Sequence, residues 1–213
     1  MTRKWMKMTA VGTPMYKFRR KMTKLETIVA NVDSMRKNAQ EQDFYKNVPL
    51  ANDTLKLLEE LDDPDEGPLG KAYACNAILR ELPEYDTPRL ALKLLRRELS
   101  WLQESDEKSD WLHEDEVESD IARLEAYIDV DGISMEAFCK QYGRHLHFDP
   151  VERTAKWEEI YCDVEKACAK RLKGVPRGMG YCFGYWAARS NVLKEYGIDW
   201  KSPGVMNPRV MFD

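Results

Sequence analysis

Residues 87–102 read Thr-Pro-Arg-Leu-Ala-Leu-Lys-Leu-Leu-Arg-Arg-Glu-Leu-Ser-Trp-Leu. Leu92, Leu95, Leu99 and Leu102 recur at three- and four-residue steps and so line one face of an α-helix. Arg89, Lys93, Arg96 and Arg97 surround the remainder. Thr87 is placed to cap this helix, and Pro88 takes its first position, where the missing N–H would be unpaired anyway. An amphipathic helix with a densely charged outer face predicts an α-helical domain, and the pattern continues on both sides.

Upstream, Pro83-Glu-Tyr-Asp-Thr-Pro88 is a short turn, preceded by the stripe Ala72, Cys75, Leu79 and Leu82, with Pro68 in a first-turn position. Residues 62–68, Asp-Asp-Pro-Asp-Glu-Gly-Pro, stop an earlier helix that carries Leu55, Leu58 and Leu61, with Asp53 as its expected N-cap. A first helix is expected over about residues 23–42 from Leu25, Ile28, Val29, Val32, Met35 and Ala39. Helices joined by such short turns pack antiparallel.

Downstream, the polar residues 103–110 form a candidate internal joint. Val117, Ile121, Leu124 and Ile128 mark the next helix, and Asp129-Val-Asp-Gly132 breaks it. Met135, Phe138, Cys139, Tyr142 and Leu146 mark a shorter one, with Gly143 as an early stop. The clearest helix is expected to start at Asp149-Pro150, with Asp149 as cap, Pro150 as first helical residue and Glu152 at capping-box spacing. Trp157, Ile160, Tyr161, Val164, Ala167, Cys168 and Leu172 form its buried face, and Gly174 closes it. Cys182, Trp186, Leu193 and Tyr196 carry a last helix, ended by Gly197.

The expected fold is therefore an all-α, irregular bundle of about seven helices, over residues 22–197. Residues 198–213 contain Pro203 and Pro208 but also Trp200, Val205, Met206, Val210, Met211 and Phe212, so they are expected to run as an extended apolar strap over the body or a partner. Residues 1–21 form a basic arm. Weak alternation of Trp5, Lys7, Thr9, Val11, Tyr16 and Phe18 around Gly12-Thr13-Pro14 suggests a small β-hairpin there.

Composition narrows the function classes. The chain has 213 residues, 43% hydrophobic and 33% charged, too apolar for a disordered protein. No apolar run approaches the ~20 residues that span a bilayer, and Arg3, Lys4 and Lys7 interrupt any signal-like stretch, so a cytoplasmic location and no membrane partner are expected. The five cysteines form no CxxC pair and read as reduced structural thiols. No cofactor is implied.

The first twenty-four residues carry eight Lys/Arg and no Asp/Glu, against a net charge of −4 for the whole chain. Lys17, Arg19, Arg20, Lys21 and Lys24, with Tyr16 and Phe18, have the ingredients of a nucleic-acid contact: cations for phosphates and rings for unpaired bases. The competing reading is an arm lying on the protein's own acidic helices. Residues 104–120 hold nine carboxylates and one lysine, more in keeping with a solvated face than with a metal site.

His145 and His147 are the candidate metal ligands, since residues two apart on an extended segment point the same way, but no cysteine pair has finger-like spacing. Cys139 with His145, or Cys182 with His147, are candidate nucleophile–base pairs. Other matches fail. Gly67-Pro-Leu-Gly70-Lys71-Ala72 lacks the first glycine and the Ser/Thr of a phosphate loop. Asp129-Val-Asp131-Gly132 puts Phe138 where a calcium loop needs glutamate. Gly178, Gly180 and Gly184 have GxGxxxG spacing, which close helix packing explains better than a dinucleotide turn. Tyr181, Phe183, Tyr185 and Trp186 cannot all face one core; Tyr181, Tyr185, Trp200 and Phe212 are thus a candidate apolar partner surface.

The leading expectation is a non-catalytic interaction or adaptor protein with a protein partner. The alternatives are a nucleic-acid-associated regulatory protein and, third, a small enzyme with a Cys/His pocket.

Overall fold

The computed structural model describes residues 22–62 and 67–212. Helices α1 (Lys24–Gln40), α2 (Asn47–Glu59), α3 (Pro68–Leu79), α4 (Pro88–Glu104) and α5 (Glu114–Ile128) share one aliphatic core. Helices α6 (Met135–Gln141), α7 (Ala155–Arg171), α8 (Tyr181–Glu195) and the short α9 (Pro203–Met206) complete an all-α fold. Single 3-10 turns occupy Phe44–Lys46 and Pro150–Arg153. No strand occurs among the described residues; the expected hairpin lies outside them.

Met35, Leu55, Leu58, Ile78, Leu94 and Leu124 are fully buried in the first core. The loop after α4 joins two helices that pack on each other, with Leu112 and Val117 inserted into the same core. Asn47 ties three segments: its amide donates to the carbonyls of Met35 and Glu81 (3.0 and 2.7 Å) and accepts from Asn38 (2.9 Å).

Several local expectations need correction. α2 starts at Asn47 rather than at Asp53, which lies inside the helix beside Lys56; Pro49 is tolerated because it falls in the first turn. Thr87 does not cap α4, because its hydroxyl turns back to donate to the Pro83 carbonyl. Glu158 of α7 caps instead, its two oxygens accepting from the N–H groups of Leu90 (2.9 Å) and Arg89 (3.1 Å), and it thereby links the two parts of the molecule. Asp149 and Glu152 do form a capping box, but over the 3-10 turn; Thr154 caps α7. The C-terminal strap is not wholly extended, since it contains α9.

The second core packs Trp157, Ile160, Val164 and Cys168 of α7 against Val192 and Leu193 of α8 and Ile198 and Trp200 of the strap. Gly197, at φ +74°, lets α8 close with the Ile198 N–H on the Leu193 carbonyl (3.0 Å), a conformation side chains disfavour. Polar side chains then pin the strap. Asn207 accepts from the His147 N–H (2.8 Å) and donates to the His147 carbonyl (2.7 Å), while Asp149 accepts from Lys201 N–H (2.7 Å). Trp200 Nε1 donates to Glu152 (2.7 Å).

Between the two cores, Arg153 is 1% exposed and donates to four main-chain carbonyls, those of Ala126, Tyr127, Asp129 and Ile133. These include the carbonyls at the C-terminus of α5 that the helix itself leaves unpaired.

Candidate functional site

A cleft of about 310 Å3 opens where the two parts meet. One wall is Gln42 and the 3-10 turn after α1; the turn before α4 adds Pro83 and Asp86. The opposite wall is α7 with Tyr161 and Glu165, and the start of α8 with Tyr181 and Tyr185. Gln42 adopts φ +59° so that the Asp43 N–H can reach the Asn38 carbonyl (2.8 Å), a helix ending that usually uses glycine. Arg177 joins the rims: it donates to the Glu41 carbonyl (2.6 Å) and to Gln42 Oε1 (3.1 Å), and lies 3.6 Å from Asp43.

Behind the cleft lies a buried charge network. Asp86 Oδ1 accepts from Trp157 Nε1 (3.0 Å) and Arg189 Nη2 (2.9 Å). Arg189 Nε lies 3.2 Å from Glu165 Oε1 as an ion pair without hydrogen-bond geometry, and that oxygen accepts from the Tyr185 hydroxyl (2.7 Å). The guanidinium stands 4.6 Å from the centre of the Trp157 ring. Burial opposes the charge on Arg189, but Asp86, Tyr185, Glu165 and Glu152 outweigh it and hold its pKa well above the ordinary value. Burial raises Glu165 despite Arg189 and the Tyr185 bond, and pushes Glu152 up to about 7 despite Trp200 and Arg189. Burial thus favours the neutral form of Glu152 and Glu165, while Asp86 lies directly against Arg189.

A second feature lies on the outer side of α8. Phe183, Gly184, Ala187 and Asn191 are exposed, and the one charged residue among positions 181–193, Arg189, is buried. Phe183 packs edge-on to Trp186 (5.4 Å), and Trp186 packs edge-on to Phe212 (5.1 Å). Met179 and Met211, near the two ends of this aromatic row, are 96% and 94% exposed. Close packing does not account for Gly178 or Gly184, since a Cβ at either meets nothing within 4 Å; Gly180 instead adopts φ +80° ahead of α8. Residues 166–194 carry seven Lys/Arg and no Asp/Glu.

Comparison with protein-family models, curated proteins and solved structures finds no match. The chain's own geometry is the ground for a functional reading.

The residues singled out from the sequence are dispersed. Tyr16, Lys17, Phe18, Arg19, Arg20 and Lys21 lie outside the described residues. Lys24 donates to the Glu60 carbonyl (2.8 Å) and lies 3.2 Å from the Glu60 carboxylate. Tyr181 and Tyr185 line the cleft, Trp200 is buried beside Trp157, and Phe212 is half-buried on Trp186.

His145 is exposed, while the His147 backbone is held by Asn207. Among the described residues no group of three His, Cys, Asp or Glu is placed to hold a metal, and no helix is long and apolar enough to cross a membrane. The cysteines are all free. Burial pushes the thiols of Cys75, Cys139, Cys162 and Cys168 upward, the opposite of what an activated nucleophile needs. Sequence reasoning missed Asp86, Glu165, Arg177 and Arg189. The signal for Arg189 was present: a lone charge in a helix that is otherwise apolar or small marks a buried, paired group.

Proposed function

We propose that this is a non-catalytic interaction protein that captures a protein partner on the outer face of α8 and the strap beside it. One observation carries the reading: in a chain that is 33% charged, α8 exposes three turns without a charge, centred on Phe183, Gly184 and Ala187. Exposed Phe183, Met179 and Met211 supply apolar contact, and the bare backbone at Gly184 admits close approach of another helix. Of the seven cations in residues 166–194, Arg171, Arg177 and Arg189 pair with this chain's own carboxylates. Lys166, Lys170, Lys173 and Lys194 and the N-terminal arm remain as basic charge, so the partner fitted is an amphipathic segment with acidic flanks.

The test places a photo-crosslinking residue at position 191 in the full chain, expressed in its own cells. A discrete adduct with another protein is expected, weakened by deletion of residues 1–21 and lost in Gly184→Leu. Leucine there enters open space and favours helix, so thermal stability is expected to hold or rise. An adduct that persists in Gly184→Leu, an adduct of the chain with itself, or no adduct would each overturn the reading.

The basic arm with Tyr16 and Phe18 also favours nucleic-acid association as a second reading. It requires a salt-sensitive mobility shift that is abolished by charge reversal at Arg19 and Arg20.

A further inference from the structure

The cleft is separate from the outer face of α8, and its lining is chemically selective. Asp43, Asp86 and Glu165 face a space walled by the rings of Tyr45, Tyr161, Tyr181 and Tyr185. The bonds to Asp86 converge on Oδ1 and those to Glu165 on Oε1. Asp86 Oδ2 and Glu165 Oε2 are thus left as acceptors on cleft-lining residues. With Glu152 behind them, four carboxylates meet three cations: Lys46 and Arg177 beside Asp43, and Arg189 beside Asp86 and Glu165. The rings already receive cations: Arg177 lies 5.9 Å from the centre of Tyr181, Arg189 5.8 Å from that of Tyr185, and these two tyrosines stack at 6.5 Å.

Asp43 is already paired with Lys46 and Arg177, so an anion entering beyond that rim would meet Asp86 and Glu165, and a neutral apolar ligand would leave their free oxygens desolvated and unpaired. A cation carried on a slender alkyl stem satisfies both the charge and the rings. We propose that the cleft binds an alkylammonium group, through ring faces of Tyr181 and Tyr185 and the carboxylates of Glu165 and Asp86. Two sources share that chemistry, a free amine and an alkylated lysine side chain. The cleft volume of about 310 Å3 accepts either.

The full chain would be titrated by NMR with choline, with 1,4-diaminobutane and with a trimethyllysine peptide, and with 3,3-dimethylbutan-1-ol as the neutral isostere of choline. At least one cation is expected to shift the resonances of Tyr181 and Tyr185 saturably, with the neutral alcohol at least about tenfold weaker. Tighter binding of the diamine would identify a free amine as the ligand, and tighter binding of the peptide a lysine side chain. Glu165→Gln is expected to weaken the preferred cation at least about tenfold. Tyr181→Ala, at the rim, provides the same test should Glu165→Gln fail to fold. No saturable shift with any cation, equal binding of the alcohol, or full affinity in a folded Tyr181→Ala protein would overturn the proposal.

Discussion

The two ends of this protein are held together by different means. The core of α1–α5 is aliphatic, filled by Met35, Leu55, Leu58, Ile78, Leu94 and Leu124, and its stability comes from apolar area removed from water. The part built on α6–α9 buries Trp157 and Trp200 but also Arg153, Arg189, Asp149 and Asn207, and long-range hydrogen bonds stitch it. The lesson is about tolerance. An aliphatic core loses stability in proportion to the volume removed, whereas a stitched region fails when one donor leaves several buried acceptors unpaired.

The sharpest way to break that contrast is Arg153→Met. It keeps much of the side-chain bulk but strands the carbonyls of Ala126, Tyr127 and Ile133, while that of Asp129 keeps the Ile133 N–H, so a loss of about 4 kcal/mol is expected by urea denaturation. A loss below about 1 kcal/mol would show that water replaces the guanidinium without cost and that the stitching is incidental. Leu94→Ala tests the other side of the comparison. It should cost about 3 kcal/mol, by transfer plus cavity, with the same denaturant slope as the parent.

The smallest effect probes a carboxyl buried within the aliphatic core. Glu98 is 0% exposed; its Oε1 accepts from Asn76 (3.0 Å), and its Oε2 has no hydrogen-bond partner among the described residues. Burial pushes its pKa up to about 7 from an ordinary 4.5. The native state therefore holds this proton more tightly than the unfolded chain does. The associated stability is complete below pH 4.5, falls as pH rises through about 7, and is flat above. Glu98→Gln is expected to leave stability unchanged near pH 4.5 and to raise it by about 2 kcal/mol at pH 8, measured as the shift in urea midpoint. An equal effect at both pH values would mean that the carboxyl is already ionised inside the core.

Legibility followed the same division. The leucine steps of α4 and the stripe of α7 are local repeats, and both appear as helices, α4 starting at Pro88 as expected and α7 five residues later than expected. Where a competing long-range partner existed, local rules misplaced the detail. Thr87 has the residue type of a cap, yet Glu158 from α7 brings two oxygens to the same N–H groups. Asp53 has the type of an N-cap, yet the buried bonds of Asn47 start α2 earlier. The cleft was illegible because its residues come from four separate stretches, and no spacing rule connects Asp86 with Arg189, 103 positions away.

From residue order alone came the helical class, the approximate place of most helices, and the charge asymmetry of the N-terminal arm. Those depend on side-chain period and on caps, which act within a few residues. Folding alone decided that Arg153 would close α5, that Asn207 would pin the strap, and that Asp86, Glu165 and Arg189 would share one interior. Burial and pairing are properties of neighbours in space, and here those neighbours lie 20 or more positions apart along the chain.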